Sequence, residues 1–348
     1  MYKNLIYLLI LLLSSCEEKY TPVIDTIDGQ LVVEAQITND PTLNFVHLTK
    51  TTSFYDKQTS GAISGASVEL VEINGLTIQG KANGAGFFNF STVPVSGKNY
   101  KLRIIVQNDT YESEIVKMPP IPSLLNFYTG HIEKKEYITD GYGVPMAFNV
   151  SGREIYVDAP ITMEISNYRF KTRAVLEWSW YPQALFGPPP PPHFGWQSHY
   201  PKSDFNIAGP KKFSQTGKIE KHPLITLPYN AKELFLKPDS VMNGWIMIID
   251  QFGTSKGSYE YHEKLNSQFG ADGSLFDPIQ TQIYGNITCI TDPSKIVFGY
   301  FDLNSYRQYR YFLYISSPNA AVTLRQIFRY PYISEEGDVV RTPPDWWE

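Results

Sequence analysis

The chain has 348 residues, 42% of them hydrophobic and 19% charged. That is enough apolar content for about two domains of roughly 150 residues, and too much for a disordered polymer. Its 30 basic residues face 35 acidic ones, so no positive surplus is left to neutralise a phosphate backbone and a nucleic-acid partner is not expected. The supply of Tyr, Phe, Gly and Pro predicts a mainly β chain.

Lys3 precedes an apolar run from Leu5 to Leu13, followed by Ser14, Ser15 and Cys16. The run is shorter than the roughly 20 helical residues a bilayer needs. A basic start, an apolar centre and small residues at a boundary describe an export signal over residues 1–15. Leu13-Ser14-Ser15-Cys16 resembles the bacterial lipobox, which implies that Cys16 becomes the acylated first residue of the mature chain. Each buried methylene is worth about 0.8 kcal/mol, so more than one acyl chain attaches stably. Glu17 and Glu18 resemble the acidic signal that sends Bacteroidota lipoproteins to the outer face of the outer membrane. Removing residues 1–15 takes one lysine and no acidic residue, so the anchor, not charge, must hold the protein at an anionic surface. Cys289 is the other cysteine and has no intrachain partner once Cys16 is acylated; its strand-like setting predicts a buried free thiol.

Residues 16–30 read as a tether, and residues 31–120 as a β-sandwich. Ala66–Ile73 and Leu76–Lys81 flank Asn74-Gly75, which predicts a two-residue hairpin loop with positive φ at both positions. Tyr100, Leu102, Ile104 and Val106 alternate with Lys101, Arg103 and Gln107, the period of a strand with one buried face. The glycines and aromatics from Asn83 to Tyr100 resemble the carboxypeptidase-regulatory-like, transthyretin-type (Ig-like) sandwich. Met118-Pro119-Pro120-Ile121-Pro122 removes backbone donors and sets the boundary between domains.

Residues 121–348 read as a larger β-rich domain with one or a few short helices. Strands are predicted at Asn149–Val157, Ala174–Tyr181, Gly244–Asp250, Ile296–Phe301 and Gln308–Ile315. A helix is predicted at Tyr259–Phe269, with Tyr259, His262, Leu265 and Phe269 on its inner stripe. The run Pro188–Pro192 predicts a hydrated polyproline segment and a surface loop over about 182–217. Trp178, Trp180, Phe194, Trp196 and Tyr200 stand in or beside it. Trp178 and Trp180 fall on one strand face and suit core packing; exposed rings would suit a sugar or a protein partner.

In order along the chain, Cys16, Leu31–Asn39, Val68–Val71, Gly86-Phe87-Phe88 and Met118-Pro119-Pro120 resemble the Bacteroidota outer-membrane lipoproteins grouped as domain of unknown function 4249. Tyr259–Leu265, Ser274–Pro278, Gly285-Asn286-Ile287, Phe298–Phe301 and Pro344–Trp347 extend the resemblance across nearly the whole mature chain. It implies no known activity. It implies an accessory role beside a TonB-dependent transporter.

Gly253-Thr254-Ser255-Lys256-Gly257 fits the G-x-S-x-G nucleophile elbow, but His262 is the only histidine after it and no βαβ repeat surrounds it. Ser255 or Ser258 as a helix N-cap explains the same residues. The histidines lack metal-ligand spacing, and no cofactor is expected. The sequence therefore predicts a non-enzymatic lipoprotein on the outer membrane that captures a nutrient or glycan ligand for a TonB-dependent transporter. A free-standing glycan- or protein-binding adhesin is the alternative.

Overall fold

Alternating apolar residues at Leu31, Val33, Ala35 and Ile37 give a strand one continuous face to bury, and all four side chains are buried. The structure, a computed structural model, describes residues 29–52, 61–139, 145–180, 186–188, 193–201, 205–210, 217–228, 241–269, 282–314 and 324–326. In chain order it begins with β1 (Leu31–Ile37), β2 (Phe45–Lys50), β3 (Ser67–Glu72), β4 (Thr77–Gln79), β5 (Lys81–Ala82) and β6 (Phe87–Asn89). Next are β7 (Asn99–Val106), β8 (Asp109–Ser113), β9 (Val116–Lys117), β10 (Asn126–Thr139), β11 (Pro145–Pro160) and β12 (Asn167–Trp180). There follow β13 (His193–His199), β14 (Asn206–Ala208), β15 (Lys218–Pro228), β16 (Val241–Thr254) and helix α1 (Lys256–Phe269). The last elements are β17 (Ile287–Cys289), β18 (Val297–Leu303), β19 (Ser305–Tyr314) and β20 (Leu324–Gln326).

The protein is mainly β. One sheet runs β18-β1-β2-β6-β5 and a second runs β17-β8-β7-β3-β4 with β9 on β7. They close on a shared core that includes Val33, Leu48, Leu70, Leu102, Cys289 and Phe301. A third sheet, β10-β11-β15, faces a fourth, β13-β12-β16-β19-β20 with β14 on β12. Their core includes Ile155, Phe170, Leu227, Trp245, Met247 and Leu313. The result is two β-sandwiches.

The first sandwich is not contiguous in sequence. β18 lies parallel to β1, from Leu31↔Val297 to Ile37↔Leu303, and β17 lies antiparallel to β8. Residues 287–303, read from sequence as part of the C-terminal unit, thus complete both sheets of the N-terminal one. A strand's own pattern records which face is buried and not which edge it joins, and closing a long loop costs little more than closing a short one. Asn304 alone separates β18 in one sandwich from β19 in the other.

Three local expectations change. The β3–β4 loop holds Ile73, Asn74 and Gly75, because the Glu72 N–H bonds to Leu76 O. Of the two predicted turn residues only Asn74 takes positive φ, at 61°. The expected loop over 182–217 contains two strands: β13 pairs with Ala174–Trp180 and β14 with Tyr168–Phe170. The conspicuous prolines masked the short strand behind them; Pro189–Pro192 lie outside the described residues. In α1, Ser258 is the buried residue, while Phe269 at the end of the expected apolar stripe is exposed and stacks on Phe205. Among the described residues no helix is long and apolar enough to cross a membrane.

Candidate functional site

Among the sequence-selected contact residues whose side chains are described, the two tryptophans do not form an exposed aromatic surface. Trp178 and Trp196 are each 4% exposed. Pairing of Trp178 with Gly195 and of Glu177 with Trp196 puts the two indoles on opposite faces of the β12–β13 ladder. The Trp178 ring lies where a side chain at Gly195 would go, which explains the glycine. Trp196, whose exposure the sequence left open, is therefore buried in a sheet. Trp180 and Phe194 belong to the same ladder, Tyr200 follows it half-buried, and Cys16, Glu17 and Glu18 lie outside the described residues.

The polar chemistry gathers instead at the seam between the sandwiches. Two asparagines act as substitute strand neighbours, Asn39 across the seam and Asn286 inside the first sandwich, between β17 and β18. Asn286 donates from Nδ2 to Phe301 O at 3.0 Å and accepts the Phe301 N–H on Oδ1 at 2.8 Å. Asn39 does the same to Tyr306, donating to its carbonyl at 3.0 Å and accepting its N–H at 2.5 Å. Ser305 Oγ donates to Pro120 O at 2.6 Å, and Asn304 N donates to Ile37 O at 2.9 Å. Asn286 is 5% exposed. Asn286→Ala should therefore strand two buried backbone groups and cost about 2–3 kcal/mol, read as a lower urea midpoint at unchanged slope. A loss under about 0.5 kcal/mol would show that the clasp is dispensable.

The buried carboxylate that joins both sandwiches and the helix is Asp302, on the face of β18 opposite the core residues Phe301 and Leu303. Ser255 Oγ accepts the Ser258 N–H at 3.1 Å and so caps α1, as the N-cap reading expected. From the capped helix, Ser258 and His262, one turn apart, reach the same carboxylate. Ser258 Oγ donates to Asp302 Oδ1 at 2.6 Å, and His262 Nε2 donates to Oδ2 at 3.1 Å. Arg169 Nη2, from β12 in the other sandwich, stands 3.4 Å from Oδ2 and donates to Gln36 Oε1 at 2.9 Å. Its guanidinium also lies over the Phe252 ring, 4.7 Å from the centroid. Burial would push the Asp302 carboxyl up, but the His262 hydrogen bond, the Arg169 charge and the Ser258 hydroxyl outweigh it and hold it well below the usual carboxylate range.

These residues resemble a hydrolytic triad in type and not in arrangement. The carboxylate sits between hydroxyl and imidazole, whereas a nucleophile requires the imidazole in the middle. Ser258 is 1% exposed. Ser255, the elbow serine, is engaged by the helix N–H. The geometry locks α1 and both sandwiches around one buried charge.

Beside the lock, between the two sandwiches, opens a cleft of about 430 Å³. Its walls include Glu114–Pro120, Met163, Glu164, Asn167, Thr254–Gly257 and Tyr300. Sequence reading missed this cleft because its residues come from five distant segments. The one local signal was the glycine-bounded turn at Gly253–Gly257.

A family model described as a domain of unknown function (DUF4249) matches residues 17–310. No curated protein and no solved structure matches the chain. The matched span takes in Asn39, Pro120, Ser258 and Asp302, which tie the seam, and Asn286, which clasps β18 within the first sandwich; the chain belongs to the DUF4249 family.

Proposed function

We propose that the protein is a non-enzymatic lipoprotein, held by acylated Cys16 on the exterior of the outer membrane, that captures a ligand for a TonB-dependent transporter. The observation that carries this reading is Leu13-Ser14-Ser15-Cys16 behind a short apolar leader. The stretch from Cys16 to β1 is long enough to reach about 50 Å when extended, so an anchored scaffold can still dock against a neighbour. A chain folded as two interlocked sandwiches suits presentation of a fixed surface, and the family resemblance supplies the transporter as partner. Burial of Trp196 removes the ring on which the glycan-adhesin alternative leaned.

Cys16→Ser should abolish incorporation of a palmitate analogue and move most of the protein from the membrane to the soluble fraction. The tagged wild type, purified from outer membranes, should bring down a β-barrel transporter. Recovery without any such barrel, or mass spectrometry showing Cys16 unmodified, overturns the reading.

A further inference from the structure

The cleft beside α1 has features of a binding site that the lock does not use. Its lining is charged but balanced: Lys117 and Lys256 stand with Glu114 and Glu164. A polyanion or polycation would meet repulsion from one pair, whereas a ligand carrying both signs meets a partner for each. The first turn of α1, Lys256-Gly257, lines the cleft and supplies N–H groups with no carbonyl one turn behind them, where the helix dipole favours a carboxylate. Thr254, 5% exposed in the cleft wall, has an Oγ1 without a hydrogen-bond partner among the described residues. Ile115 and Met163 are 59% and 105% exposed at the rim, apolar groups held in water.

We propose that this cleft binds a short peptide. Its terminal carboxylate lies at the start of α1 near Lys256, its ammonium lies toward Glu114 and Glu164, and an apolar side chain covers Ile115 and Met163. A volume of about 430 Å³ falls within the range of small-molecule sites and suits a few residues of peptide. The proposal names a ligand class for the capture role above and rests on that reading for its setting, while the binding itself needs neither transporter nor membrane.

The test uses the full chain purified in detergent, titrated calorimetrically with trileucine, N-acetyl-trileucine and trileucine amide. Trileucine should bind, and blocking either end should weaken binding at least tenfold. Lys256→Glu should also weaken it at least tenfold. The substitution puts an acidic residue in the first turn but replaces the 3.5 Å pair of Lys256 with Glu260 by a like-charge pair, two small effects of opposite sign, so an unchanged melting curve would separate lost binding from lost fold. Lys264→Glu, on the exposed face of α1, should bind as wild type does. Absence of trileucine binding, equal binding of the three peptides, or an unaffected Lys256→Glu protein overturns the proposal. A protein that binds trileucine but brings down no transporter keeps the site and loses the partner; the reverse result loses only the site.

Discussion

Asp302→Ala should lower the unfolding free energy by about 3–5 kcal/mol, because removing one member of a buried ion pair leaves the others desolvated and uncompensated. Arg169 and Asp302 have side chains only 11% and 8% exposed, so solvent cannot take over the lost charge. Ser258 and His262 lose their acceptor together, which should loosen α1 from β18 as well as β12 from β1. Asp302→Asn keeps the shape and removes the titration. The folded carboxyl lies below its unfolded value, so the stability it contributes is complete above the ordinary carboxylate pKa near 4 and is lost as pH falls toward the lower folded value. Wild-type unfolding free energy should therefore fall more steeply below about pH 4 than that of Asp302→Asn. Parallel acid profiles for the two proteins would falsify the lock, as would a neutral-pH loss for Asp302→Ala under about 1 kcal/mol.

The same residue shows where sequence reading stops. Strand period and turn chemistry are local, so β7, β16, β18, β19 and α1 were legible with ends off by a few residues, and β12 over its second half only. For the same reason the N-cap was legible as Ser255 or Ser258, and the hydrogen bond from the Ser258 N–H assigns it to Ser255. A lone aspartate in Tyr300-Phe301-Asp302-Leu303 is a signal of sorts, since an acid in a buried strand needs a partner. The partner's identity depended on β18 crossing to β1, which no periodicity records. The helix stripe was right at His262, which faces inward to Asp302, and wrong at Phe269, which is exposed; it missed Ser258, which is buried through a hydrogen bond that an apolar template does not count. Trp196 was left open because the prolines before it suggested solvent, while its alternation with Phe194 and Ser198 already suited a strand. Asn39, Asn286 and Gly299, features of the family resemblance in sequence, become physical constraints only once β1, β17 and β18 are seen to meet.

Gly299→Ala should also cost about 3–5 kcal/mol, combining roughly 1–3 kcal/mol for a non-glycine residue at positive φ with roughly 1–3 kcal/mol for overpacking. Gly299 has φ 90°, and a Cβ there would strike the Val33 carbonyl, its register partner across the parallel β1–β18 ladder. On the other side, a Cβ at Gly285 would strike the Gly299 carbonyl, so three backbones are stacked with no room for a methyl group. Gly97→Ala supplies the reference: its φ is 85°, yet nothing lies within 4 Å of the added atom, so it should show the dihedral cost alone. Cys289 supplies a local reporter, being 2% exposed on β17, whose strand shares the first sandwich with β18. Gly299→Ala should label with a thiol reagent faster than Gly97→Ala in native buffer, because prising β18 from β1 opens the edge of the core that shelters the thiol. Equal urea midpoints for the two variants, with equal labelling rates, would mean that the close approach of Val33, Gly299 and Gly285 carries no part of the stability that joins the C-terminal strands to the first sandwich.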